Sequence, residues 1–174
     1  MSADDESTLA ILVPEAEPLV GAFRAAHDPS AAAGMPAHIT VIYPFKHPDA
    51  LDEGDVARLA AHFAAHAPIA FALAGVGQFD GVALYLAPEP AAPFVALIRA
   101  AVALYPDYPP YGGIHADLVP HLTVAQTADP AALRPGLASA AERLPLRATT
   151  REVALMERRG GRWRRHTAFP LGSG

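Results

Sequence analysis

The chain has 174 residues, a formal net charge of −5 and a pI near 5.8. That balance excludes a protein that coats long nucleic acid, which needs a basic face to release counterions. There is no cysteine, so disulfides, thiolate nucleophiles and cysteine-bound zinc are excluded too. The start Met1-Ser2-Ala3-Asp4-Asp5-Glu6 lacks the basic and apolar regions of a signal peptide. No apolar run reaches the roughly 18 residues of a membrane span. We expect a cytoplasmic protein without membrane contact, a monomer, folded as one domain over 1–174.

Residues 8–13 read as a buried strand. A helix follows over 15–27, with Leu19, Phe23 and Ala26 at helical spacing. Residues 28–36 form a turn-rich loop, and 38–45 a strand stopped by Pro44 and Lys46-His47-Pro48. Asp52 is placed to cap a helix with Val56, Leu59, Ala60 and Phe63 on one stripe. Strands over 69–76 and 82–86 are joined near Asp80-Gly81, a hairpin signal. Phe94, Leu97, Ile98, Ala101, Val102 and Tyr105 mark an amphipathic helix. A long loop, 106–120, carries Tyr108 and Tyr111; loops of this length are often functional. Residues 121–125 form a strand. Asp129-Pro130 starts a helix carrying Leu133, Leu137, Ala141 and Leu144, which Pro135 can split. Strands over 153–158 and 162–169 make a hairpin that turns at Gly160-Gly161.

Two of these strands carry nearly the same phrase. One is Pro36-Ala37-His38-Ile39-Thr40-Val41, the other Pro120-His121-Leu122-Thr123-Val124, with the histidines 83 positions apart. Strand side chains alternate faces, so each His and the Thr two places on project together while the aliphatics point inward. Each of these strands leads into a helix and then two further strands, which reads as a duplication. A single His-x-Thr arises readily by chance. Two copies at matching places in a duplicated layout point to one shared site.

In-line displacement at a phosphodiester needs a base behind the nucleophile and an acid beside the leaving oxygen. Imidazole titrates near neutrality and serves in either role. A Thr hydroxyl can donate to a non-bridging oxygen, where negative charge accumulates. The candidate catalytic pair is therefore His38 and His121, and the candidate substrate-binding pair Thr40 and Thr123.

Zinc takes three or four protein ligands. The remaining histidines, His47, His62, His66, His115 and His166, show no ligand spacing except His62 and His66 on one helix, on a face read as solvated. We expect no metal and no other cofactor. The basic run 158–165, around Trp163, reads as a solvated hairpin tip or as a contact for substrate phosphates. Tyr108 and Tyr111 are either packed, merely exposed, or stacked on a base.

The paired motifs, with His38-Ile39-Thr40-Val41-Ile42-Tyr43-Pro44-Phe45, Val82-Ala83-Leu84-Tyr85-Leu86 and the Trp163 hairpin ending Phe169-Pro170-Leu171-Gly172, resemble the two-histidine (2H) phosphoesterase superfamily of 2'-5' RNA ligase-like proteins and cyclic phosphodiesterases. The resemblance spans nearly the whole chain. It implies an α+β fold, a bilobal pseudo-twofold duplication with two antiparallel sheets flanked by helices around a central cleft. It implies metal-independent phosphodiesterase activity on 2',3'-cyclic phosphates or 2'-5' linkages, and as partner a nucleotide or short RNA end carrying a cyclic phosphate rather than long duplex nucleic acid. The alternative is a non-catalytic module that binds RNA ends or nucleotides; a structural domain that merely shares the fold is a third reading. One departure stands out. The RNA ligase branch tends to carry Arg five places after its second motif His, and here that place is Gln126. This favours a small or short substrate, or a cation supplied by Lys46 or by the 158–165 hairpin.

Overall fold

A computed structural model describes residues 4–79, 83–113, 118–127, 129–133, 137–138 and 141–172. The strands are β1 (Glu6–Leu12), β2 (His38–Ile42), β3 (Ile69–Phe79), β4 (Ala83–Glu89), β5 (Leu122–Gln126), β6 (Leu146–Thr150), β7 (Glu152–Arg159) and β8 (Arg162–Pro170). The helices are α1 (Glu17–His27), the single turn α2 (Pro29–Ala32), α3 (Glu53–Ala64) and α4 (Ala92–Leu104).

The fold is α+β, with all strands antiparallel in the order β6-β3-β4-β5-β2-β1-β7-β8. The two expected sheets are the two halves of this one sheet. Each half has four strands, with a motif strand innermost, and one residue pair, Ile39 and Leu122, joins β2 to β5. Each motif strand is reached through a helix, β1-α1-β2 in one half and β4-α4-β5 in the other. The strands that follow are exchanged: β3 joins the β4-β5 half and β7 joins the β1-β2 half. β6 and β7 stand six places apart in the sheet, yet only Arg151 connects them. A flat sheet would separate them by about 29 Å, far beyond the reach of one residue, so the sheet curls.

Period-two alternation shapes both motif strands. Ile39, Val41, Leu122 and Val124 are fully buried, while His38, Thr40 and Thr123 are half-buried on the other face. On the buried side α1 packs against β5 and α4 against β2, so each helix backs the motif strand of the opposite half. Phe94, Leu97, Ile98 and Ala101 of α4 enter the core as expected. Asp52 caps α3 in a reciprocal capping box with Asp55. The stripe on α1 differs from expectation: Val20 and Arg24 are buried, Leu19 and Phe23 only partly, and Ala26 is exposed. β6 has no counterpart in the sequence reading, and β2 ends three residues earlier than expected. Pro130–Leu133 forms a 3-10 turn. The Asp80-Gly81 turn, His115 and Pro135 lie outside the described residues. No described helix is long and apolar enough to cross a membrane.

Candidate active site

The pairing of Ile39 with Leu122 sets the register of the site. Extended one residue either way along antiparallel strands, it places His38 opposite Thr123 and Thr40 opposite His121. The four side chains thus occupy the corners of a patch about 7 Å along the strands and about 5 Å across. The histidines take one diagonal and the threonines the other. No side chain stands between these strands, because β2 and β5 are direct neighbours.

Both imidazoles are held in the same way. His38 Nδ1–H donates to the Pro36 carbonyl at 2.7 Å, and His121 Nδ1–H donates to the Val119 carbonyl at 2.8 Å. A carbonyl only accepts, so each bond fixes the proton on Nδ1 and leaves Nε2 to exchange protons. Aromatic rings hem in His121. Phe79 meets it edge-on at 4.9 Å, Tyr85 at 5.5 Å, and Tyr111 stacks at 6.4 Å with the planes 23° apart. Gly77 makes the Tyr85 position possible, since a Cβ there would run into the Tyr85 ring.

A cavity of about 290 Å³ opens beside the patch, with His38, Thr40, Thr123, Tyr111, Gln126 and Arg158 among its walls. Tyr111 is bonded to the Thr40 side chain and donates its backbone N–H to the Tyr43 carbonyl at 2.7 Å. Its φ of 53° is left-handed, a conformation costly for a side chain of this size and one that clusters at functional sites. Tyr108, by contrast, packs on Phe45 and Tyr105.

Arg24 organises the site from behind. It is fully buried on α1, paired with Asp28 at 3.0 Å. Its Nε–H donates to the Thr123 carbonyl at 3.2 Å and its Nη2 to the Met35 carbonyl at 3.2 Å. Asp28 in turn accepts from the Ser30 N–H and hydroxyl, which starts α2. The sequence offered no signal for this residue, because an Arg on an amphipathic helix is ordinarily read as solvated.

Lys46 is committed elsewhere: both Asp55 oxygens accept from its ammonium, at 2.7 and 2.8 Å, and Tyr105 donates to the same carboxylate. Within the 158–165 run, Arg159 pairs with Asp49 and Glu157, and Arg165 pairs with Glu152. Arg158 pairs with Glu6 at 3.2 Å and also lines the cavity. The His62 and His66 rings meet at 4.9 Å, tilted by 57°, beside Phe63, and the His62 Nε2 is buried rather than solvated. Among the described residues no three His, Asp or Glu side chains are grouped to hold a metal.

Burial lowers the His38 pKa from 6.5 to about 4, with the Arg24 guanidinium and His121 adding to it against the Pro36 carbonyl and Asp28. The unfolded chain takes up this proton near pH 6.5, the folded chain only near pH 4. Stability from this residue is therefore complete above about pH 6.5 and is lost as pH falls toward 4. The loss is on the order of 2 to 3 kcal/mol across that window. His38→Gln cannot titrate, so urea denaturation should show a flatter dependence on pH between 4 and 6.5 than the parent shows. An identical dependence in both would mean that His38 titrates normally in the fold.

The sequence profile of the 2'-5' RNA ligase superfamily matches residues 12–162. No curated protein matches. Among solved structures, Escherichia coli LigT in complex with NADP+ superposes with a TM-score of 0.61 at 18% identity, covering 99% of this chain and 100% of LigT. A structure described as a phosphoesterase gives 0.62 at 17%, covering 97% and 99%. A Thermus thermophilus protein gives 0.59 at 18%, covering 97% and 98%. With the profile matched over most of its length and the fold shared from end to end, this chain belongs to the 2'-5' RNA ligase superfamily, one of the two-histidine phosphoesterases.

Proposed function

We propose that this protein is a metal-independent phosphodiesterase acting on a 2',3'-cyclic phosphate or a 2'-5' linkage at an RNA end or nucleotide. His38 and His121 serve as acid and base, and Thr40 and Thr123 hold the phosphate. The observation that carries this reading is the diagonal set by the Ile39 and Leu122 pair. A phosphorus atom over the centre of the patch has one imidazole on each side, as in-line displacement requires. The hydroxyls of the other diagonal reach its non-bridging oxygens. Complexes of LigT with NADP+, 3'-AMP and ATP support a nucleotide as the class of ligand.

On a 2',3'-cyclic phosphate, one Nε2 takes a proton from water as the water oxygen bonds to phosphorus. The bond from phosphorus to O3' breaks, and the other Nε2 gives its proton to O3'. The products are a 2'-phosphate and a 3'-hydroxyl. The patch is alike under exchange of its two halves, so the lie of the bound ribose selects which His accepts and which donates. The low His38 pKa belongs to the resting site. A phosphate anion against the ring favours the imidazolium and raises that value toward neutrality. Thr40 is engaged by Tyr111 at rest, so the incoming phosphate takes over that hydroxyl.

The test is turnover of adenosine 2',3'-cyclic phosphate and of a 2'-5' linked dinucleotide in excess EDTA. Conversion of either substrate, with the cyclic phosphate giving a 2'-phosphate, is the expected result. Binding of both without conversion would make the protein a recognition module. Activity lost on chelation and restored by a divalent ion would replace the two-histidine chemistry by metal chemistry.

A further inference from the structure

The cavity continues well past His38, Thr40 and Thr123, the three motif residues in its walls. Beyond them its walls include Tyr43, Met35 and Trp163, with Arg158 and Glu6 at the far end. Strand register gives the distance. Ala10 of β1 lies opposite Thr40, and Glu6, four residues along β1, lies opposite Arg158 on β7. In a flat sheet the Thr40 and Arg158 Cα atoms would be about 16 Å apart, and curling brings them closer. An extended arginine covers about half of that span. What remains is of the order of one nucleotide, from the reacting phosphate to the next one along a chain.

The chemistry of that far end suits an anion. Arg158 Nη1 donates to Glu6 Oε1 at 3.2 Å, and Tyr43 donates its hydroxyl to Glu6 Oε2 at 2.7 Å. Burial and the Glu6 carboxylate push the Tyr43 pKa up to about 12, so its proton stays on. Glu6 thus has a donor on each oxygen, while it occupies only one of the five N–H groups of the guanidinium. The Arg158 Nε–H is buried with no partner among the described residues, an unusual state for a strong donor. Asp28, the other acid in the cavity wall, is matched by Arg24. Trp163 stands directly across the strand pair from Arg158, its ring nearly buried beside Tyr43 at 6.5 Å. A charged fork beside an indole recognises a phosphate attached to a flat or apolar neighbour.

We propose that Arg158, with Trp163 beside it, forms a second phosphate subsite, so the preferred substrate carries a further phosphate one nucleotide unit from the one that reacts. This rests on the reading of the motif patch as the reacting site. The second phosphate has two sources, a 5'-phosphomonoester on a single nucleotide or the internal phosphodiester of a short RNA. Either makes the same charge-assisted contact with the guanidinium.

Binding tests this without relying on turnover. Calorimetry would compare adenosine 2'-monophosphate, adenosine 2',5'-bisphosphate, and a 2'-phosphorylated ApA dinucleotide, on the parent and on Arg158→Gln and Arg158→Lys. On the parent, one or both of the ligands with two phosphates should bind about tenfold tighter than the monophosphate. Tighter binding of the bisphosphate alone identifies a 5'-phosphate, and of the dinucleotide alone an internal linkage. Arg158→Gln should bring the ratio near one, and Arg158→Lys should keep part of it. Thermal melts of both variants check that the fold persists. Equal affinities on the parent, or a ratio that survives Arg158→Gln in a folded protein, would overturn the subsite while leaving the motif patch intact. Failure of all three ligands to bind would overturn both readings.

Discussion

Replacing either His38 or His121 by alanine should lower kcat on a 2',3'-cyclic phosphate by about 10²–10⁴-fold, the range for loss of one general acid or base. In the proposed mechanism the two groups act on the same displacement from opposite ends of one diagonal. Once one is gone the other has little left to assist, so the double variant should be only slightly slower than either single one. Thr40→Ala and Thr123→Ala should cost less, because each removes one neutral donor from a phosphate whose other contacts remain. The parent should show a bell-shaped pH profile whose two limbs belong to the pair of histidines jointly. Steady-state kinetics on the four single variants decides the matter. If the Thr variants are inactive while the His variants stay near the parent, the imidazoles are not moving protons and the patch is a phosphate-binding pocket.

The candidate site was legible in the sequence where the proposed chemistry follows from local periodicity. His38 with Thr40, and His121 with Thr123, can be read as pairs because a strand repeats every two residues. The relation between the pairs could not be read, since it depends on a single contact, Ile39 with Leu122, between strands far apart in the chain. Most elements were legible for the same local reasons, a cap at Asp52, an apolar stripe on α4, a turn at Gly160-Gly161, whereas the α+β class was implied by the family resemblance. β6 was not, because Leu146-Arg147-Ala148-Thr149-Thr150 is short, half-exposed at an edge, and defined as a strand by its pairing with β3. The exchange of β3 and β7 between halves was equally hidden. Of the cations put forward to compensate for Gln126, only geometry separates Lys46, held by both Asp55 oxygens, from Arg158, which gives one N–H to Glu6 and also lines the cavity. Tyr111 carried a weak signal in its Gly112-Gly113 neighbours, but its contact with Thr40 arises from the path of the loop.

Arg24→Met should destabilise the protein by about 3 to 5 kcal/mol and lower kcat as well, for two separable reasons. The stability loss comes from Asp28, which keeps its Ser30 donors but is left buried without its cation. The activity loss comes from the Thr123 carbonyl, which forfeits the donor that fixes the second motif strand against α1. The double variant Arg24→Met/Asp28→Leu tells them apart. Swapping a buried ion pair for apolar side chains of similar volume is often close to neutral, so most of the lost stability should return. The bond to Thr123 does not return, so kcat should stay low. Urea denaturation and cyclic phosphate turnover on the same three proteins read both quantities. Recovery of activity in step with stability would show that Arg24 acts only through the overall fold. Recovery of stability alone would make it a positioning residue, one that reaches from the helix of one half to set the hydroxyl in the other.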